Sequence, residues 1–543
     1  MNYEIRYSKL NERQKQAVNT IEGPVMVVAG PGTGKTELLS MRAANILRRT
    51  DMLPENILCL TFTESGSIAM QKRLVDIIGR EAYGVSVFTF HAFGSEIISR
   101  YREYFYNGAD FNPADELTRH KIITDILQEL PPKNPLKTIM NGEFTSVGMI
   151  ISAISDIKRA GLEPKELTAI LDANDEVIDI AEPLLIEAFG TRVNKNTFDK
   201  LASVSESLAK INEPQPIPTI SRLSDILRAS LKRSLEEASE HPKITPPLTK
   251  WRTDWMTKSE AKKPIMAARK QQIKLRALVD IYEKYLENMQ SAKLYDFDDM
   301  ISQVVHAIEQ NPSLQAELQE KYQYIMVDEF QDTNHAQMRI LHALTNNPAN
   351  EGNPNLMVVG DDDQAIYGFQ GADIGNILDF KKHYKNAKLI TLIDNYRSAE
   401  CILTAAREVI TQGSERLENR IDELDKNLSP HALPEKPNAE IVTLPSEGSE
   451  REWIARDIKD KLKNGQNPGD IAILARRHAD LVSLLPYLAK AQIPVSYDQN
   501  DNVLDNDLVS QILYLSNIVD ALANNDLGHA NELLPQMMAH PAW

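Results

Sequence analysis

The run AGPGTGKT at residues 29–36 carries the residue types that hold a polyphosphate. Its glycines let successive backbone N–H groups turn inward around phosphate oxygens, and the start of a following helix adds positive dipole. Lys35 is spaced to reach the β- and γ-phosphates, and Thr36 offers a hydroxyl to Mg²⁺. Ala29 stands where the general pattern has glycine. Phosphate chemistry also needs a carboxylate for the metal and a group that orients water. Asp328 and Glu329 follow the apolar run at residues 325–327 and supply both. Asp328 would bind Mg²⁺ through its water shell, and Glu329 would position and deprotonate the attacking water. An acidic pair after a strand is, by itself, more often a solvated turn; the phosphate loop earlier in the chain gives this one a function.

These groups must sit on a rigid scaffold, and the sequence describes one. VMVVA (25–29), NILCLTF (56–62) and GVSVFTF (84–90) read as buried strands alternating with helical segments. That alternation implies right-handed crossovers and a parallel sheet covered on both faces, hence an α/β fold. From about residue 107 to 291 the Leu/Ile spacing turns helical, which predicts a helical insertion. Strand-like runs resume at 322–330, 355–363 and 387–396, so the α/β domain is expected to be discontinuous, with a first part at 1–106 and its return within 292–424, a segment that also holds the start of a second core domain. A polar, proline-bearing stretch at 425–440 leads to a second α/β unit, 425–500, with strands at 441–444 and 471–474. Residues 501–543 read as the start of another helical segment.

The 543 residues suit several domains, each able to bury a core. Sixty Lys+Arg against 77 Asp+Glu give a net charge of −17, which excludes attachment to nucleic acid or membrane by bulk positive charge but leaves room for a local basic groove. Two cysteines, Cys59 and Cys401, provide no disulfide framework and no zinc site, and favour a reducing, cytoplasmic setting. No run approaches the length of apolar sequence needed to span a bilayer.

Taken together, AGPGTGKT, VDEFQDTN (327–334), VVGDDDQAIYGFQGA (358–372) and DNYRS (394–398) resemble motifs I to IV of the UvrD/PcrA/Rep family of superfamily 1 DNA helicases. LNERQKQAV (10–18) is similar to the family's Q motif, TFTESGS (61–67) to motif Ia, and TFHAFG (89–94) to the next DNA-contacting motif. The resemblance implies a RecA-like P-loop NTPase core, a 1B-like insertion, part of a second RecA-like domain, and ATP with Mg²⁺ as the nucleotide and metal. Residues 29–36, namely Ala29, Gly30, Pro31, Gly32, Thr33, Gly34, Lys35 and Thr36, would bind the phosphates, with Thr36 and Asp328 on the metal. Gln14 would read the adenine edge and Tyr396 stack on the ring, while Gln364 and Arg397 would contact the γ-phosphate. Phe62, Thr63, Phe90, His91, Tyr367 and Phe369 would line a single-stranded DNA track, whose aromatic faces accept any base. The implied activity is ATP-driven, 3′ to 5′ movement on single-stranded DNA and unwinding at single-strand/duplex junctions.

The sequence departs from the family in places. Glu64-Ser65 replaces the usual Asn-Lys of motif Ia, and Phe369-Gln370-Gly371 the usual Trp-Arg-Gly of motif III. Motifs V and VI are not found, which reads as a truncated product or fragment, so a nucleotide- and DNA-binding module without full motor activity is the alternative, with an RNA helicase a third class. Residues 243–276 hold ten basic residues against two acidic ones, with Trp251 and Trp255 among them. A nucleic-acid backbone contact and a solvated helix face fit that run equally. YDFDDMI (295–301) is read as a helix cap by Asp296 or Asp298 rather than a metal cluster.

Overall fold

The computed structural model describes residues 2–105, 112–140, 143–190, 192–211, 213–217, 220–259, 261–366, 368, 375–413, 416–421, 424–431, 439–497, 507–523 and 527–538. They fall into two compact units, Met1–Asn438 and Ala439–Trp543.

The first unit is built on six parallel strands: β1 (Val25–Ala29), β2 (Ile57–Thr61), β3 (Ser86–Thr89), β4 (Tyr324–Val327), β5 (Leu356–Gly360) and β6 (Lys388–Leu392), in the spatial order β6-β1-β5-β4-β2-β3. Strand side chains alternate between faces, and the strands use both faces for burial. Val25, Val27, Ile57, Cys59, Met326, Met357 and Val359 enter one apolar layer. Met26, Val28, Leu58, Leu60, Ile325, Val327, Leu356 and Val358 enter the other. Runs without polar interruption therefore follow from burial on both sides. Helices α1 (Glu12–Asn19), α2 (Lys35–Arg49) and α3 (Glu64–Ile78) cover the first layer, and α4 (Phe90–Arg100) begins the second.

Between β3 and β4 the chain runs through helices that include α5 (Val147–Arg159), α6 (Pro164–Phe189) and α7 (Ala267–Ser291). They bury two apolar clusters of their own, and α6 contributes to both, Leu167 and Leu171 to one and Ile178, Ala181 and Leu185 to the other. Asn112–Pro113 pairs in parallel with Leu294–Tyr295, so the chain leaves for this helical segment and returns from it at one place. It re-enters the core as α8 (Phe297–Gln310), followed after β4 by α9 (His335–Thr345).

In the second unit, Ala455, Ile458, Leu484 and Leu488 form a small core. The predicted strands at 441–444 and 471–474 are not strands here: both segments run without a ladder, and Ile441 is 98% and Leu474 93% exposed. A strand gains its stability from a hydrogen-bonded neighbour as well as a covered face; Ile471 and Ile473 do pack against the small core, but no ladder partner is supplied to either segment. Among the described residues no helix is long and apolar enough to cross a membrane.

Candidate nucleotide and nucleic-acid site

The phosphate loop joins β1 to α2 at the C-terminal edge of the sheet, where open α/β folds bind ligands. Gly32 and Gly34 have φ of 71° and 87°, values that a side chain disfavours. A Cβ on Gly32 would lie 2.7 Å from Asn395 Nδ2 and 2.8 Å from Arg397 Cβ, so glycine is required there for room as well as for backbone. The loop is tied down from outside. Thr33 Oγ1 donates to the Gly30 carbonyl at 2.8 Å, Tyr396 N donates to the Gly32 carbonyl at 3.0 Å, and Asn395 Nδ2 donates to the Pro31 carbonyl.

Gln14 belongs to this frame. Asn11 and Gln14 close a reciprocal capping box on α1, and Gln14 Nε2 donates to the Thr33 carbonyl at 2.9 Å. The helix is anchored by Arg42 of α2, 1% exposed, which donates to the carbonyls of Ala17 and Ile21 at 3.0 Å each and to that of Thr20. Gln14 Oε1 accepts from Asn11 N at 3.0 Å, so each end of the buried amide is held by one hydrogen bond to the protein.

Lys35 Nζ lies 2.6 Å from Glu329 Oε2. Asp328 and Glu329 follow β4, and Glu329 has φ 48°, a left-handed conformation uncommon for a side-chain-bearing residue and found at functional turns. Burial pushes the Asp328 carboxyl up to about 6, Glu329 adds to this and Lys35 opposes it; burial and Glu329 also raise Asp332 to about 6. Among the described residues no three acids are grouped to hold a metal by themselves, and Mg²⁺ ordinarily binds through one or two carboxylates together with substrate phosphates, a demand that Asp328 beside Glu329 fits.

Glu329 also connects to the third motif. Gln331 Nε2 donates to Glu329 Oε2 at 2.9 Å while its Oε1 accepts from Asp361 N at 3.0 Å. Asp361 in turn holds Gln364 Nε2 at 2.7 Å. Lys426, whose side chain is 4% exposed, meets Asp361, Asp362 and Asp363 at 2.6, 2.7 and 2.7 Å, and Arg416 makes a two-point contact with Asp363 at 2.7 Å each. Burial alone would raise Asp363; hydrogen bonds from Arg416 and Lys426 outweigh it and hold that carboxyl below its usual range. The sequence reading assigned no role to Lys426, Arg416, Gln331 or Asn395. Three consecutive aspartates beside a buried strand were the available signal, since such charges need an internal cation.

The remaining assignments are distributed as follows. Tyr396 is 47% exposed, its hydroxyl accepts from Asn11 Nδ2 at 3.1 Å, and its ring stacks on His431 at 5.3 Å. Arg397 is exposed and shares a turn with Asn395, whose Oδ1 accepts from its backbone N at 2.9 Å. Phe62 is half-buried, and Thr63 is exposed and caps α3, accepting from Gly66 N at 3.0 Å. His91 is half-buried at the start of α4. Phe90 corrects the expectation: it is 2% exposed and packs in the apolar layer under the sheet, so its ring has no face for a base. Tyr367 and Phe369 lie outside the described residues.

The basic run is partly consumed by the fold. Trp251 is 4% exposed and stacks between Phe189 and Trp255, and both indole N–H groups donate to Ser230 Oγ. Arg269 pairs with Asp179 and Glu182, and Arg276 with Asp172 and Asp175, all from α6. Trp251 is therefore a core residue, and Trp255 is half-buried against the same cluster. Asp296 does cap α8, in a reciprocal capping box with Asp299.

The model of the UvrD/REP helicase N-terminal domain matches residues 10–199 and 185–385, and that of the UvrD-like helicase C-terminal domain matches 390–528. The chain belongs to the UvrD/REP helicase family. Within it, the chain is 27% identical over 518 residues to the ATP-dependent DNA helicase PcrA of Staphylococcus aureus strain Mu50 and 26% identical to that of Staphylococcus epidermidis strain ATCC 12228. Each alignment covers 95% of this chain and 54% of the relative. The chain spans about half the length of the curated relatives it matches. UvrD/REP membership agrees with the parallel sheet and with a phosphate loop after β1 and an acidic pair after β4, two strands separated by β5.

Proposed function

We propose that the chain is the nucleotide- and strand-binding part of an ATP-dependent DNA helicase that moves 3′ to 5′ on single-stranded DNA and works at single-strand/duplex junctions in the cytoplasm. The observation that carries the reading is the Lys35–Glu329 pair: the cation needed for the γ-phosphate and the carboxylate needed for water meet at one point. Bound Mg²⁺, held by Thr36, Asp328 and phosphate oxygens, would neutralise charge that develops on the phosphoryl group. Lys35 would cradle the β- and γ-phosphates, Glu329 would accept the proton of the attacking water, and Gln364 and Arg397 would register the γ-phosphate. Gln14 and Tyr396 would hold the adenine. Phe62, Thr63 and His91, with Tyr367 and Phe369, would carry the strand. Free thiols at Cys59 and Cys401 accord with a reducing compartment.

DNA-stimulated ATP hydrolysis that vanishes in Lys35→Ala is the test. A second reading, a module that binds nucleotide and DNA without turnover, draws on the uncovered apolar residues of the second unit. Tight nucleotide binding with no DNA-stimulated hydrolysis would select it.

A further inference from the structure

The peptide between Asn395 and Tyr396 is bonded on both of its edges. Its N–H donates to the Gly32 carbonyl of the phosphate loop at 3.0 Å, and its carbonyl accepts from His431 N at 2.7 Å. A trans peptide points these two groups in opposite directions, so the chain at Tyr396 runs between the phosphate loop and the segment that carries His431. That segment is fastened along its length. Lys426 is buried on Asp361 and Asp362 at 2.6 and 2.7 Å, and Leu428 lies so close to Gly30 that a Cβ there would come within 2.7 Å of its Cδ2. Ser429–Pro430 pairs in parallel with Asp394–Asn395. His431 and Tyr396 are the next residues in that register, and their rings stack with centroids 5.3 Å apart and planes at 30°. The imidazole is held a second time, its Nε2 lying 2.9 Å from Asp394 Oδ1, while Asn11 Nδ2 donates to Asp394 Oδ2 at 2.7 Å and to the Tyr396 hydroxyl at 3.1 Å. Burial does not require this pair, since both residues are half-exposed. A centroid separation of 5.3 Å is that of rings in direct contact. No base enters between them, and the face of Tyr396 left for one is turned away from His431, on the side of the phosphate loop.

We infer that His431 is a positioning residue for base recognition: it backs the Tyr396 ring and holds it in the orientation in which the opposite face receives the adenine of a nucleotide whose phosphates lie in the loop. The inference rests on the adenine-stacking role proposed for Tyr396. Without His431 the ring turns about its side-chain torsions, and its ordering has to be supplied when nucleotide binds. Immobilising one such side chain corresponds to about two- to twelvefold in affinity.

The test uses the full chain with Mg²⁺ and two probes, the non-hydrolysable nucleotide AMP-PNP and tripolyphosphate, which has no base, with binding read by calorimetry. His431→Ala should weaken AMP-PNP binding about two- to twelvefold and leave tripolyphosphate binding unchanged. His431→Phe keeps a ring against Tyr396 while giving up the Asp394 contact, and should restore AMP-PNP affinity; His431→Asn should behave like the alanine variant. Equal weakening of both probes in His431→Ala means that the loop itself is disturbed and overturns the inference, as does a phenylalanine variant as weak as the alanine one. Tyr396→Ala separates the two levels. If it weakens AMP-PNP while His431→Ala binds as wild type does, the inference fails alone. If Tyr396→Ala leaves AMP-PNP affinity unchanged, the adenine-stacking reading fails and takes this inference with it.

Discussion

Lys35 and Glu329, 294 residues apart in sequence, meet in a 2.6 Å ion pair at the edge of the sheet. Lys35 is therefore already neutralised before any polyphosphate arrives, and nucleotide binding exchanges one anionic partner for another. Glu329→Gln should release Lys35 and remove the proton acceptor together. ATP affinity should be kept or rise, while turnover falls about 10²- to 10⁴-fold, the usual contribution of a general base. Titration with a fluorescent ATP analogue and steady-state hydrolysis separate the two effects; a parallel loss of both would reject this role for Glu329.

Lys426 is the only side-chain cation that meets all three of Asp361, Asp362 and Asp363 among the described ion pairs. Lys426→Met leaves buried carboxylates without their partner, a change that costs about 3–5 kcal/mol. Melting should shift down by several degrees, and the Lys426→Met, Asp361→Asn, Asp362→Asn triple variant should recover part of the loss.

Gly32 predicts a local and severe effect. Gly32→Ala forces a side chain into a left-handed φ of 71° and against Asn395 and Arg397. Nucleotide binding should be lost with the sheet intact, so that circular dichroism is preserved while ATP no longer raises the melting temperature.

The turn that opens α8 predicts a pH dependence. Burial and the Asp296 charge push the Asp299 carboxyl up to about 6, against the pull of Lys158. A carboxyl raised in the folded state above its unfolded value of about 3.9 binds more protons folded than unfolded between the two, so its contribution to stability grows as pH falls from above 6 toward 4. Asp299→Asn removes that gain. The melting difference, variant minus wild type, should be more favourable to the variant at pH 8 than at pH 5, and a flat difference would contradict the raised carboxyl.

In the second unit, Ile441 and Leu474 are bare. Ile441→Ser with Leu474→Ser should lower binding of a hydrophobic dye and change stability by no more than about 0.5 kcal/mol, as for other surface substitutions.

The sequence by itself determined the layered core, the glycine-rich turn between β1 and α2 and the acidic pair that ends β4. These follow from local rules: apolar runs as strands, glycines before Lys-Thr as a tight turn that opens a helix, and an acidic pair at a strand end. A helix cap at Asp296 or Asp298 was legible for the same reason, and the reciprocal bonds between Asp296 and Asp299 select Asp296. Tertiary structure decided what depends on distant partners. The fold withdrew Phe90 from the strand track by packing its ring under the sheet, absorbed Trp251 into the insertion core with Trp255 half-buried against it, and turned Arg269 and Arg276 toward the acids of α6. It also left 441–444 and 471–474 without a strand ladder, although their composition reads as strand. The ion pairs of Lys35, Lys158 and Lys426 each close across more than 60 residues of chain. A lysine in a sequence looks like solvent-facing charge, and only a packed interior shows which carboxylate it must neutralise.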